Sequence, residues 1–136
     1  MEEKRYRQKL NELENRLEFL KGNLSWKEEF ISNRMLKKAC YKEFQEAVEI
    51  VSDILAMIVK DSGKAVEDDY TNIEIVSKVL NSSDIKSGLR SAHGLRNILV
   101  HEYNEINDEL AFDSILENIE VLKKFADMAK EWLRKT

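Results

Sequence analysis

Proline is absent from the 136 residues and glycine occurs four times, so the residues that punctuate sandwiches and barrels are nearly missing. Helices run long in such a chain, and the fold class it predicts is all-α. A single cysteine, Cys40, excludes an internal disulfide framework and suits a reducing compartment, so a cytoplasmic location is expected. A lone thiol of this kind reads as packing material. No apolar run is long enough to cross a bilayer, and Met1 to Lys9 is charged with no apolar stretch behind it. Neither a membrane partner nor a secretory or transit segment is therefore expected. Excess positive charge is missing too: Lys plus Arg is 22, Asp plus Glu is 26, and the net charge is −4. That balance argues against wholesale wrapping of nucleic acid and confines any such contact to a local patch. There is no Gly-rich phosphate loop, no serine nucleophile elbow and no cysteine-based motif. The acidic residues, Asp68-Asp69 among them, lack a Glu-x-x-His arrangement and read as a solvated face, so no metal and no cofactor is expected.

What is present is 43% hydrophobic and 35% charged, enough apolar matter for a core and enough charge to solvate its outside. One helical domain over residues 1–136 is the expectation at this length. Tyr6, Leu10, Leu13, Leu17 and Leu20 recur at intervals of four and three, which makes one face of an amphipathic helix ending near Gly22. Ser25 and Glu28 have capping-box spacing, so a second helix is predicted from there to Asp61-Ser62-Gly63, with a break allowed near Ser32-Asn33. Thr71 with Glu74 offers another such box for a short helix carrying Ile75, Val76, Val79 and Leu80. Asn81 to Asp84 ends that helix and caps a fourth over about Ile85 to Tyr103; a fifth runs from about Asp108 to Arg134. Short connections between such helices predict an up-and-down antiparallel bundle of four to five. Trp26 with Phe30, and Trp132 with Leu133, read as packing pairs.

Residues 84–103 are the basic stretch of an acidic chain and hold both histidines, His93 and His101, with Lys86, Arg90 and Arg96. At about 100° per residue, Ala92, Leu95, Leu99 and Ile106 line up as a core-facing stripe if the helix continues that far, with Arg96 and Tyr103 at one border of it. Arg90, Asn97 and His101, at separations of seven and four, form a second stripe nearly opposite. Arg96 and His101 lie about 140° apart around an ideal helix and about 7.5 Å apart along it, too far to grip one phosphate within a single straight helix. A helix that ends or kinks near His101, or two copies meeting across a dyad, would let them converge, and the dyad is favoured.

Arg96-Asn97-Ile98-Leu99-Val100-His101-Glu102-Tyr103 resembles the Arg-polar-x3-His signature of the HEPN superfamily, in the Arg-x4-His-x-Tyr form typical of HepT-like toxins. Gly94-Leu95 before the motif, Asn104 to Asp108 after it and Asn33-Arg34-x-Leu36 upstream are similar as well. The resemblance implies a HEPN-like helical fold and a metal-independent RNA endonuclease toxin, a homodimer with the motif at the subunit interface. It also implies a cognate minimal nucleotidyltransferase antitoxin that transfers AMP onto the motif tyrosine. Carried over by position, Arg96 and His101 are catalytic, Asn97 is the polar residue after the arginine, and Tyr103 is the modified position. Glu102, Glu105, Asp108 and Glu109 make an acidic neighbourhood that opposes strong RNA affinity.

Those residue types suit the chemistry. Metal-free RNA cleavage uses the substrate's own 2′-OH as nucleophile, so the protein must move protons and stabilise a more negative phosphorane. An imidazole, with an ordinary pKa near 6.5, moves protons at neutral pH, and a guanidinium presents paired N–H groups to phosphate oxygens. Asn97 can orient the imidazole or contact phosphate, and Arg90 on the same stripe is a second substrate-binding candidate. DNA lacks the nucleophile, so activity on RNA only is expected. The plainer readings are that Arg90 and Arg96 pair with carboxylates of neighbouring helices, that Tyr103 is an interface aromatic and that Asn97 is merely solvated. The function that goes with them is a noncatalytic helical module that binds a nucleotidyltransferase; a nucleotide-binding helical subunit is the remoter alternative.

Overall fold

A computed structural model describes all residues, Met1–Thr136. Six α-helices and one 3₁₀ turn make up the chain: α1 (Glu3–Asn23), α2 (Lys27–Ser32), α3 (Arg34–Asp61), α4 (Asp69–Val79), α5 (Ser83–His101), the turn Tyr103–Glu105 and α6 (Asp108–Lys135). There are no strands, and the all-α expectation holds. The count rises from five to six because the predicted second helix is cut in two at Asn33. That residue has extended backbone, and its side chain accepts a hydrogen bond from the Leu36 N–H, which restarts the helix as α3.

Four helices form the bundle, each antiparallel to its neighbours. Tyr6 of α1 donates to Asp61 at the far end of α3 while Arg16 pairs with Glu43, so α1 and α3 run in opposite senses. Trp132 of α6 packs edge-on against Tyr6, and Lys123 of α6 reaches Glu14, which sets α6 antiparallel to α1. Arg96 of α5 reaches Glu49 of α3, and Tyr103 reaches Tyr41, closing the ring. Where α5 meets α6, a Cβ placed on Gly88 would lie 2.6 Å from Val121, so this crossing requires glycine. The apolar faces of the helices merge into one cluster of 33 buried residues, including all five periodic positions of α1.

Two predicted caps form elsewhere. Ser25 and Glu28 make no capping box: Trp26 takes the N-cap of α2 without a side-chain bond, and its ring is 72% exposed rather than packed on buried Phe30. The helix predicted from Thr71 begins earlier, because Asp68 accepts from the Thr71 N–H. Asn72, buried, exchanges two hydrogen bonds with the Glu67 backbone and ties the preceding loop to α4. The buried face of α4 is accordingly Ile73 and Val76, with Ile75, Val79 and Leu80 half-buried. α5 stops at His101, not Tyr103, so Ile106 reaches the core from the turn that follows and not from a continued helix.

Candidate functional site

The motif takes up the last turn and a half of α5, Arg96 to His101, and runs on into the 3₁₀ turn that holds Tyr103. Ala92 and Leu99 are fully buried and Leu95 half-buried, so the predicted apolar stripe fixes the rotation of the helix. Its termination is built from backbone: Glu102 leaves the helical region at φ −127°, its N–H still donates to Ile98, and its carbonyl accepts from Glu105 to close the 3₁₀ turn. Asn107 then caps α6 by accepting from the Leu110 N–H. His101 is thus the last helical residue and exposed, with no hydrogen bond to another side chain.

Arg96 is anchored where His101 is free. Its side chain is 24% exposed; one terminal nitrogen donates to Asn97 Oδ1 at 3.1 Å and the other to Glu49 Oε1 at 3.2 Å. The remaining donor, Nε, is buried without a partner. Asn97 therefore contacts the arginine and not the histidine. No hydrogen bond joins Arg96 to His101 within the chain.

Tyr103 sits on the 3₁₀ turn, exposed, and meets Tyr41 edge-on with ring centroids 6.1 Å apart. The Tyr41 hydroxyl donates to Asp108 at 2.5 Å, and Lys37 Nζ donates to the other carboxylate oxygen at 2.9 Å. Burial pushes the Asp108 carboxyl up, but the bonds from Lys37 and Tyr41 outweigh it and hold the group below the usual carboxylate range. Burial and the Asp108 bond push the Tyr41 phenol well above its ordinary value, so it stays a donor.

Arg90 is exposed, on the stripe predicted for it, and lies over the ring of Tyr70 from α4. His93 is 8% exposed and its Nε2 lies 3.4 Å from Asp69, so it is an interior residue of the α4–α5 contact. Glu49, Tyr41 and Tyr70 escape a reading by motif, since each reaches the α5 region from a distant segment. No three His, Cys, Asp or Glu side chains converge as a metal site, and no helix is long and apolar enough to cross a membrane.

Known proteins are similar to this chain in both sequence and shape. Two proposed RNases of Archaeoglobus fulgidus are each 40% identical to this chain. One match spans 111 residues, 79% of this chain and 77% of the relative; the other spans 90 residues, 65% and 68%. A HEPN toxin of Shewanella oneidensis, solved tri-AMPylated in complex with an MNT antitoxin, superimposes with a TM-score of 0.85. It is 19% identical, over 93% of this chain and 96% of that one. A toxin–antitoxin solved with AMP-PNP gives 0.83 at 17% identity, over 91% and 96%. Likeness at that identity establishes the HEPN toxin-like fold. Residues 8–129 match the family described as Ribonuclease HepT-like, and the chain belongs to that family.

Proposed function

We propose that the chain is a metal-independent RNA endonuclease toxin that works as a homodimer, with Arg96 and His101 catalytic. The observation that carries this reading is the contrast within one helix end: a guanidinium anchored and aimed by Asn97 and Glu49, and an imidazole left free five residues later at the helix terminus. His101 takes the proton of a ribose 2′-OH as its oxygen bonds to phosphorus. Arg96 holds the non-bridging oxygens as their charge grows, and the phosphorus–O5′ bond breaks to leave a 2′,3′-cyclic phosphate and, after proton return, a 5′-OH. Asn97 positions Arg96, and Arg90 binds substrate further along the same face.

Tyr103 is the position for control. Its exposed hydroxyl can attack the α-phosphorus of ATP on a cognate minimal nucleotidyltransferase, forming the oxygen–phosphorus bond as pyrophosphate leaves and the phenolic proton passes to that enzyme. The attached AMP brings a negative phosphate to the motif end of α5 and opposes substrate phosphate there. The Shewanella toxin, AMPylated and bound to its antitoxin, supports this by likeness of fold.

A second reading, a noncatalytic module that binds the nucleotidyltransferase, is favoured by one contact: Arg96 already has a carboxylate partner in Glu49. Incubating RNA with purified protein in EDTA separates the two. The wild-type chain should cut, and His101→Ala should cut slower by about a hundredfold or more. Equal, negligible cutting by both, with partner binding intact, would overturn the ribonuclease reading in favour of the module.

A further inference from the structure

Three side chains outside the motif meet where α4 packs antiparallel on α5. The His93 ring, buried and facing Asp69, meets Tyr70 edge-to-face, with centroids 5.0 Å apart and planes at 89°. Arg90, one turn earlier on α5, places its guanidinium carbon 5.5 Å from the centroid of the same Tyr70 ring. Tyr70 nonetheless keeps 39% of its surface in water. The Tyr70 side chain is thus held in one orientation by a buried neighbour while the residue stays partly exposed, a geometry that lowers the entropy a stacked ligand would have to remove.

Charge singles out the same place. Of the three lysines and arginines on α5, Lys86 pairs with Glu74 and Arg96 with Glu49, whereas Arg90 has no carboxylate within bonding range. The acidic groups that face it are already engaged: Asp69 is turned to His93, and Glu74 is held below the usual carboxylate range first by Lys86, with Arg90 adding only at longer range. Arg90, Asn97 and His101 share one stripe within about 40°, and eleven residues place Arg90 about 16 Å from His101 along the helix. At the 3.4 Å rise of a stacked strand, that gap corresponds to roughly five nucleotides.

We propose that Tyr70 and Arg90 form a nucleotide subsite for an unpaired stretch of RNA, one base stacked on the exposed part of the Tyr70 ring and its phosphate on Arg90, roughly five nucleotides from the linkage at His101. The proposal rests on the ribonuclease reading and names its substrate class: single-stranded RNA, because a base inside a duplex has no free face to stack. Stacking on an aromatic ring accepts any base, so the subsite contributes affinity for an open strand with little sequence preference.

Two assays on the full-length chain test it. In the His101→Ala background, binding of labelled single strands of about four and about twelve nucleotides is read by fluorescence anisotropy; in the wild-type background, KM and kcat are measured on the same strands. Tyr70→Leu, which keeps apolar bulk against His93 but has no aromatic face, should weaken binding of the longer strand about tenfold and raise its KM with kcat unchanged. The shorter strand, which cannot span the gap, should be cut with KM and kcat unchanged. Tyr70→Phe should restore wild-type values, and a duplex of the longer sequence should bind the parent protein weakly. Tyr70→Leu indistinguishable from wild type on the longer strand, or a duplex bound as tightly as the open strand, would overturn the subsite while leaving cleavage intact. No RNA bound or cut by any form would overturn the ribonuclease reading together with it.

Discussion

Arg96 enters any encounter with substrate already holding Glu49, and the two effects of that carboxylate oppose each other. As an acceptor it keeps a flexible guanidinium from wandering, which reduces the rotamer entropy lost when phosphate binds. As a negative charge beside the nitrogen that should meet phosphate, it weakens the attraction and must give way. Glu49 is about half exposed, so water screens the pair and its net stabilisation is small. The charge effect should therefore dominate binding. Glu49→Gln keeps an oxygen acceptor and removes the charge; KM for RNA should fall a few-fold, and the slope of log affinity against log salt should steepen by up to about 0.7, the value for one further phosphate contact on a single strand. A rise in KM with no change in slope would show that Glu49 acts as a positioning residue only.

At the scale of elements, the turn between α5 and α6 decides where Tyr103 sits, and Asp108 holds that turn from the first position of α6. Two donors from α3 converge on it, and a carboxylate at a helix N-terminus is favoured by the unpaired N–H groups there. Because its pKa lies lower in the folded chain than in the unfolded one, its stabilisation is present at neutral pH and is lost as pH falls through the folded value, below the ordinary carboxylate value of about 3.9. Asp108→Asn should cost about 1–2 kcal/mol at pH 7, seen as a lower Tm, and the gap to wild type should narrow in melts run near pH 3. An unchanged gap at pH 3 would mean that the bonds, and not the charge, carry the contribution. The helices themselves were readable from apolar spacing because each buries one face, as the five buried positions of α1 illustrate. Their starts were less so. Ser25 and Thr71 both have capping-box spacing, yet Trp26 and Asp68 take the caps, since in a chain with 26 acidic residues that spacing recurs by chance. The motif residues lie within eight positions and could be read as a string. Glu49, Tyr41 and Tyr70 could not, because periodicity carries no information about which side chain of another helix stands opposite.

For the whole molecule, the decisive quantity is how many chains complete one site. A single chain separates Arg96 from His101 by helix geometry, ties the first to α3 and leaves the second in water. At the end of α5, exposed Ile98 and Val100 lie on either side of the outward stripe that carries Asn97 and His101, with exposed Tyr103 on the turn beyond. In the homodimer we propose, this surface would bury against its own copy about a two-fold axis, and each arginine would be brought towards the other chain's histidine. Mixing makes this testable without a structure of the dimer. Arg96→Ala and His101→Ala chains should each be nearly inactive alone. Unfolded together and refolded in equal amounts, half of their dimers are mixed, and each mixed dimer has one intact Arg96–His101 pair and one doubly defective one. If the pair is shared between subunits, cleavage should return to about a quarter of the wild-type rate per chain, and Ile98→Glu in both chains should abolish the recovery by leaving monomers on size-exclusion chromatography. If each protomer uses its own arginine and histidine, the mixture stays as inactive as its components, because no mixed dimer then contains a chain with both groups.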